Sequence, residues 1–209
     1  MTDIKFCGLR TLEDVSMAQR LGARWAGFVH FGPSPRDIDV SVARELVSSS
    51  GDLETVAVTV DPDDTLARQV SEAGYDWLQL HGSETPARLA ELKRALGIKV
   101  MKALPVAEAE DLARASDYDG IADMILFDAK PPKHADRPGG WGEGYDYGLL
   151  KTLNISTPWL LSGGLTADNV RAAIAASGAA AVDVSSGIES QPGVKSPEKM
   201  EAFAKAMSS

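Results

Sequence analysis

The chain has 209 residues, of which 44% are hydrophobic and 24% charged, as expected for a globular protein with one domain or two small ones. Its formal net charge of −9 argues against nucleic acid or an anionic membrane surface as a partner. No secretory signal pattern follows Met1, and no stretch is apolar for long enough to cross a membrane. The single cysteine, Cys7, excludes an intrachain disulfide, so we expect a cytoplasmic protein.

Apolar runs typical of strands alternate with amphipathic helical patterns along the whole chain. The first run breaks at Gly8, and Thr11 and Asp14 then show the capping-box pattern of a helix start. Helical patterns follow each strand, for example over Pro86–Leu96 and residues 167–176. The predicted strands are residues 4–9, 25–31, 54–60, Trp77–Leu80, 99–104, 124–128, 158–162 and 181–185.

The predicted helices carry signals at both ends. Glycine adopts the left-handed conformation of a helix C-cap without steric penalty, and it closes four helical stretches, at Gly22, Gly74, Gly97 and Gly178. Capping residues predict helix starts at Asp63 or Asp64, Thr85, Thr166 and Ser196.

Eight strand–helix units in a chain of this length predict a single (β/α)8 barrel, a TIM barrel, as one domain over residues 1–209. The alternative is a doubly wound open sheet. That fold predicts a Gly-x-Gly-x-x-Gly pattern after the first strand, which Cys7-Gly8-Leu9-Arg10-Thr11 does not supply.

The carboxyl ends of the predicted strands are unusually polar for a barrel, and function collects at this rim. Because side chains alternate along a strand, the polar residues share the inward face. The apolar residues Ile4, Phe6, Leu78, Leu80, Phe127, Val182 and Val184 then point outward, towards the helices. The predicted inward set is Lys5, Cys7, Gln79, His81, Asp128, Asp183 and Ser185.

Two glycine-bearing loops follow the seventh and eighth strands. Backbone N–H groups can approach an anion closely at glycine, and these two loops form the common phosphate site of such barrels. We therefore expect a phosphate group at Gly163 and Gly164, and at Ser185, Ser186 and Gly187.

The segment 129–144 is long, rich in proline and glycine, and locally basic. Its cationic residues Lys130, Lys133, His134 and Arg137 predict a lid that receives an anionic substrate, although a solvated loop with incidental charge would have the same composition. Arg36 follows the second strand in a proline-stiffened loop, and its planar guanidinium matches a carboxylate.

These motifs together resemble the phosphoribosylanthranilate isomerase family, (β/α)8 enzymes of tryptophan biosynthesis. The resemblance runs along the whole chain, and the ordered set is far more specific than any single motif. It rests on Lys5-Phe6-Cys7-Gly8-Leu9, Gly27-Phe28-Val29, Ser34-Pro35-Arg36, Gln79-Leu80-His81-Gly82, Leu126-Phe127-Asp128, Ser162-Gly163-Gly164-Leu165, the stretch from Val182 to Glu189, and Pro192-Gly193-Val194-Lys195. The chain departs from the family pattern at Gly139-Gly140-Trp141-Gly142 and Tyr145-Asp146-Tyr147.

The resemblance implies an Amadori rearrangement of N-(5-phosphoribosyl)anthranilate to an aminodeoxyribulose phosphate. It makes Asp128 the general acid that protonates the furanose ring oxygen and Cys7 the general base that takes the C2′ proton. It also implies that Arg36 binds the anthranilate carboxylate and that Asp183 lies near the reacting carbons. His81 is then a residue of the pocket.

The expected chemistry needs no metal or redox cofactor, and the three histidines have no metal-ligand spacing. A monomer is expected rather than a homodimer. A lone cysteine is usually a small buried apolar residue, and as a base near neutral pH it needs a positive neighbour. We expect Lys5, two residues before Cys7 on the same face, to supply that charge.

Other functions are conceivable on the same fold. The histidine-pathway isomerase performs this rearrangement on a different amine but uses aspartates at the first and fifth strand ends, where this chain has Cys7 and Ala103-Leu104. The lysine and glutamate set of indole-glycerol-phosphate synthase cannot be placed in this chain. A non-catalytic barrel that serves as a binding module would be expected to lack the acid–base pair.

Overall fold

Eight parallel strands form a closed barrel in the computed structural model, which describes residues 2–131 and 139–208. Each strand pairs with the next one along the chain, and the last pairs with the first. The strands are β1 (Asp3–Cys7), β2 (Trp25–His30), β3 (Glu54–Thr59), β4 (Trp77–Leu80), β5 (Lys99–Val106), β6 (Met124–Ala129), β7 (Trp159–Leu161) and β8 (Ala181–Val184). The predicted (β/α)8 barrel is therefore confirmed.

Helices cover the outside of the barrel. The α-helices are α1 (Leu12–Arg20), α2 (Val40–Ser48), α3 (Asp64–Glu72), α4 (Pro86–Leu96), α5 (Val170–Ser177) and α6 (Pro197–Ser208). In the described part of the chain, no helix has the length and apolar character needed to cross a membrane.

The helical segments after β5 and β6 are 3₁₀ helices, Ala109–Asp117 and Tyr147–Thr152. The first buries Leu112 and Ala115, which are three residues apart and therefore lie on one face of a 3₁₀ helix. A third 3₁₀ turn, Ser186–Ile188, precedes a hairpin of β9 (Glu189–Gln191) and β10 (Val194–Lys195).

Most predicted helix starts are confirmed by hydrogen bonds. The Thr11 hydroxyl accepts from the Asp14 N–H in a complete capping box, and the Asp63 carboxylate caps α3. Thr85 caps α4 ahead of its first-turn proline, and the Ser196 hydroxyl accepts from the third residue of α6. The four predicted helix-closing glycines all have positive φ.

The predicted helix start at Thr166 is wrong, since α5 begins at Val170 with Asn169 as its N-cap. The Asn169 amide oxygen accepts from the Thr166 N–H at 2.8 Å, and its amide nitrogen donates to the Gly164 carbonyl at 2.9 Å. These bonds hold a separate turn before the helix and tie it to the Gly164 loop.

Alternation along the strands separates two apolar clusters. The barrel interior contains Cys7, Trp25, Val29, Val56, Val58, Trp77, Met101, Ala103, Met124, Leu126, Leu160 and Ala181. The predicted outward residues, Ile4, Phe6, Leu78, Leu80, Phe127, Val182 and Val184, all belong to the layer between barrel and helices. The predicted facing of these outward residues is confirmed.

The last helix covers the seam where the barrel closes. Phe203 of α6 is fully buried and contacts Phe6 of β1 edge to face, with ring centroids 6.3 Å apart.

We expect Phe203→Ala to lower the free energy of unfolding by about 3–5 kcal/mol, because it leaves a cavity against β1. Urea denaturation measures this. The exposed Val42→Ala in α2 is the control and should change it by less than about 0.5 kcal/mol; equal losses would contradict this assignment of the core.

Candidate active site

A cavity opens at the carboxyl ends of the strands, and most of the predicted site residues lie on its wall. Its lining includes Cys7, Arg36, Gln79, His81, Gly163, Gly164, Asp128, Asp183, Ser185 and Ser186. Lys5 lies beneath it, completely buried. Among residues 2–131 and 139–208, no group of three or more His, Cys, Asp or Glu side chains is placed to hold a metal ion.

Lys5 and Cys7 form a buried polar cluster with Asp183 on the neighbouring strand. The Lys5 Nζ donates to Asp183 Oδ1 at 2.7 Å, and the Ser162 hydroxyl donates to Asp183 Oδ2 at 3.2 Å. Gly27 leaves the necessary space, because a Cβ there would lie 3.0 Å from Cys7 Sγ and 3.1 Å from Lys5 Nζ. The amine and the thiol therefore share one small region inside β1 and β2.

The pKa of the Cys7 thiol lies above its ordinary value. Burial raises it most; Lys5 lowers it, Asp183 raises it and Lys195 lowers it. Burial also lowers the pKa of Lys5, but Asp183 and Cys7 outweigh this effect and leave the Lys5 pKa raised. Lys5 thus acts on the thiol in the expected direction, yet burial and the Asp183 carboxylate prevail in the free protein.

On the opposite side of the cavity, Asp128 contacts His81. Asp128 Oδ2 lies 3.3 Å from His81 Nε2, while Oδ1 accepts from the Ala129 N–H at 2.9 Å. The Gln79 amide nitrogen lies 3.3 Å from His81 Nδ1. Gln79 lines the cavity, and within the described residues its buried Oε1 has no hydrogen-bond partner.

Arg36 reaches the cavity, but one edge of its guanidinium is already bound. Nε and Nη2 donate to the two Glu189 carboxylate oxygens at 2.7 and 2.9 Å, and Nη2 also contacts the Gly140 carbonyl at 3.3 Å. Nη1 makes no hydrogen bond to any residue in the described ranges. Among the described residues only the Nη1 end lacks a hydrogen-bond partner, and Gly140 packs against it, since a Cβ on Gly140 would overlap Nη1; the sequence did not predict this restriction.

Two residues that contact the predicted site were not predicted as site residues, Glu189 and Lys195. Lys195 Nζ donates to Glu189 Oε1 at 2.8 Å and to the Ser185 carbonyl at 3.1 Å. Both residues lie in motifs that carry the family resemblance, Glu189 directly after the Gly187 loop and Lys195 after Pro192-Gly193, and this position was the available signal.

The two glycine-bearing loops pack directly against each other. Gly163 and Gly164 have φ values of 91° and 62°, and a Cβ on Gly163 would lie 2.6 Å from the Ala129 backbone nitrogen. A Cβ on Gly187 would overlap the Leu165 carbonyl oxygen. Gly187 thus allows the close approach of the loops, and Ser186 lies on the cavity wall.

Residues 139–144 lie over the mouth of the cavity. A Cβ on Gly139 would lie 2.6 Å from Asp128 Oδ2, and one on Gly164 would lie 2.6 Å from the Gly144 nitrogen. Lys130 borders the cavity, but its Nζ donates to Asp111 at 3.0 Å. Of the basic residues expected to form a lid, Lys133, His134 and Arg137 lie outside the described residues.

Comparison with known proteins gives consistent matches along the whole length. The family model for N-(5′-phosphoribosyl)anthranilate isomerase matches residues 4–206. A protein of that name from Rhodopseudomonas palustris (strain BisB18) is 50% identical over 205 residues, which cover 97% of this chain and 94% of the relative.

Solved structures agree. The phosphoribosyl anthranilate isomerase from Thermotoga maritima superimposes with a TM-score of 0.87 at 34% identity, over 100% of this chain and 99% of the other. Another such isomerase, in complex with reduced 1-(o-carboxyphenylamino)-1-deoxyribulose 5-phosphate, has a TM-score of 0.82 at 30% identity, over 100% and 99%. With a closed barrel and a cavity at its rim that the predicted polar side chains line, the chain belongs to the N-(5′-phosphoribosyl)anthranilate isomerase family and is an isomerase of tryptophan biosynthesis.

Proposed function

We propose that this isomerase converts N-(5-phosphoribosyl)anthranilate to 1-(2-carboxyphenylamino)-1-deoxyribulose 5-phosphate at the barrel mouth, with Asp128 as general acid and Cys7 as general base. The reaction, an aldose–ketose isomerisation, is that of the family. One observation carries the assignment of the pair: a buried carboxyl and a buried thiol line one cavity, on β6 and β1.

The acid step opens the sugar ring. Asp128 donates a proton to the furanose oxygen as the bond between that oxygen and C1′ breaks, and the nitrogen lone pair forms the Schiff base. His81, 3.3 Å from Asp128 Oδ2, orients the carboxyl group.

The base step moves a proton away from carbon. Cys7 as thiolate takes the C2′ proton, whose bonding electrons form the C1′–C2′ double bond of an enolamine. Protonation at C1′ and loss of the C2′ hydroxyl proton then give the ketone. The raised pKa of Cys7 lowers the abundance of the thiolate near neutral pH, while it makes the thiolate that does form a stronger base.

Three groups of residues hold the substrate in this scheme. The Nη1 end of Arg36, which has no hydrogen-bond partner among the described residues, binds the anthranilate carboxylate. The loops that contain Gly163, Gly164, Ser185, Ser186 and Gly187 bind the phosphate. Asp183 lies near the reacting carbons beside Cys7, and Gln79 and His81 line the pocket.

The histidine-pathway reaction has no comparable support. That reaction uses aspartates at the first and fifth strand ends. Here β1 ends at Cys7, and β5 continues past the predicted end at Ala103-Leu104 to Val106, with no aspartate in that stretch.

The acid–base pair is tested by single substitutions. Cys7→Ala and Asp128→Ala should each lower kcat about 10²–10⁴-fold, because each removes one proton-transfer group. The decay of anthranilate fluorescence with freshly prepared substrate measures turnover, and Val42→Ala on the exposed face of α2 is the control. If both variants kept wild-type activity, the mechanism would be wrong even with the correct substrate.

The electrostatic environment of Cys7 is tested by a matched pair of variants. Lys5→Met removes a charge that lowers the thiol pKa, so this pKa should rise. Asp183→Asn removes a charge that raises it, so the pKa should fall. Ultraviolet absorbance of the thiolate during pH titration measures both. The account requires opposite shifts, and a common direction or no change in either variant would refute it.

A cytoplasmic location follows from the proposed base, since a catalytic thiol must stay reduced.

We also propose that a monomer suffices for activity, because every residue of the scheme belongs to one barrel. A solved structure describes monomers generated from the dimeric isomerase of Thermotoga maritima.

Light scattering during size exclusion should give a mass near the 22.2 kDa of one chain. Specific activity should stay constant on dilution through the assay range. A doubled mass together with activity lost on dilution would show that a dimer is required.

A further inference from the structure

Lys195 is a buried cation whose only effect named above is to lower the pKa of the Cys7 thiol. It lies at the end of β10, in the hairpin that follows β8, and its side chain is 1% exposed. Burying a lysine costs free energy unless the ammonium is paired, because the ammonium loses its hydration. The contacts of Lys195 show what it does there.

Lys195 shares a carboxylate oxygen with Arg36. Glu189 Oε1 accepts from Lys195 Nζ at 2.8 Å and from Arg36 Nε at 2.7 Å. The Lys195 Nζ also contacts the Ser185 carbonyl at 3.1 Å and the Ser185 hydroxyl at 3.3 Å. An ammonium has three donors and no acceptor, and these three oxygens match it.

Arg36, Glu189 and Lys195 form a small buried cluster of charges. Burial raises the pKa of Glu189, but Arg36 and Lys195 outweigh this effect and keep its pKa below the ordinary value. Burial lowers the pKa of Lys195, and Glu189 opposes that shift. With Arg36 and Lys195 positive and Glu189 negative, the trio has one net positive charge. Without Lys195, Arg36 and Glu189 would form a neutral pair.

We propose that Lys195 is a positioning residue that neutralises Glu189 and so leaves Arg36 with the net charge needed to bind the substrate's aromatic carboxylate. Glu189 orients the guanidinium by occupying its Nε–Nη2 edge, and Lys195 offsets the charge that this orientation introduces. The inference rests on the proposed role of Arg36 as the carboxylate site.

The test uses two probes that differ only in the carboxyl group: reduced 1-(2-carboxyphenylamino)-1-deoxyribulose 5-phosphate and its reduced phenylamino counterpart. Calorimetry gives both Kd values for each variant. Lys195→Met should weaken the carboxylate probe roughly tenfold or more and the carboxyl-free probe less than about twofold. For the substrate, KM should rise more than kcat falls.

A double variant separates charge from packing. Lys195→Met with Glu189→Gln restores one net positive charge on Arg36, so the preference for the carboxylate probe should return towards that of the wild type. If Lys195→Met alone does not fold, Glu189→Gln is compared with the double variant. Glu189→Gln has the higher net charge and should prefer the carboxylate probe more strongly.

The outcomes separate the inference about Lys195 from the proposed carboxylate site at Arg36. Equal weakening of both probes by Lys195→Met would overturn the inference, because Lys195 would then act through the Ser185 loop. The inference would also be overturned if the double variant regained no preference for the carboxylate probe, or if its preference equalled that of Glu189→Gln. Arg36→Met should abolish the preference; if it does not, the proposed carboxylate site itself is wrong. Loss with Arg36→Met but not with Lys195→Met would refute the inference alone.

Discussion

The ion pair between Lys5 and Asp183 joins the first and last strands at the point where the barrel closes. The two residues are register partners in the β1–β8 ladder, and both side chains point inward. A shift of one residue would turn Lys5 outward, into the apolar layer, and leave Asp183 buried without its partner. The pair therefore specifies one register of closure, and with it the position of Cys7, two residues further along β1.

Closure in this register concentrates positive charge in an otherwise acidic protein. The chain has a formal net charge of −9, yet Lys5, Arg36 and Lys195 are all buried beneath or beside one cavity. Asp183 and Glu189 neutralise two of these three cations through short hydrogen bonds. The remaining charge faces a cavity whose expected ligand has a carboxylate and a phosphate, so local pairing, not net charge, makes an anionic ligand acceptable.

Backbone contacts complete the same site. Gly139 adjoins Asp128 and His81, Gly140 adjoins Arg36, and Gly164 adjoins residues 143–144. A side chain at any of these glycines would meet the Asp128 carboxyl group, the Arg36 guanidinium or backbone atoms. The glycines of the segment 139–144 thus let the main chain approach Asp128 and Arg36 closely, while the barrel holds these side chains from below.

The sequence by itself determined the barrel and the facing of its strands, because both follow from local periodicity. Alternation was enough to place Lys5 and Cys7 inside and Phe6 outside. It could not show that the Glu189 carboxylate binds the guanidinium of Arg36, since the two residues are 153 positions apart and meet only when the barrel closes. Nor did the local cap signal at Thr166 place the start of α5, since residues 167–169 form a separate turn before Val170. The raised pKa of Cys7 was likewise decided by tertiary structure, because burial and the neighbours that oppose it exist only in the folded barrel.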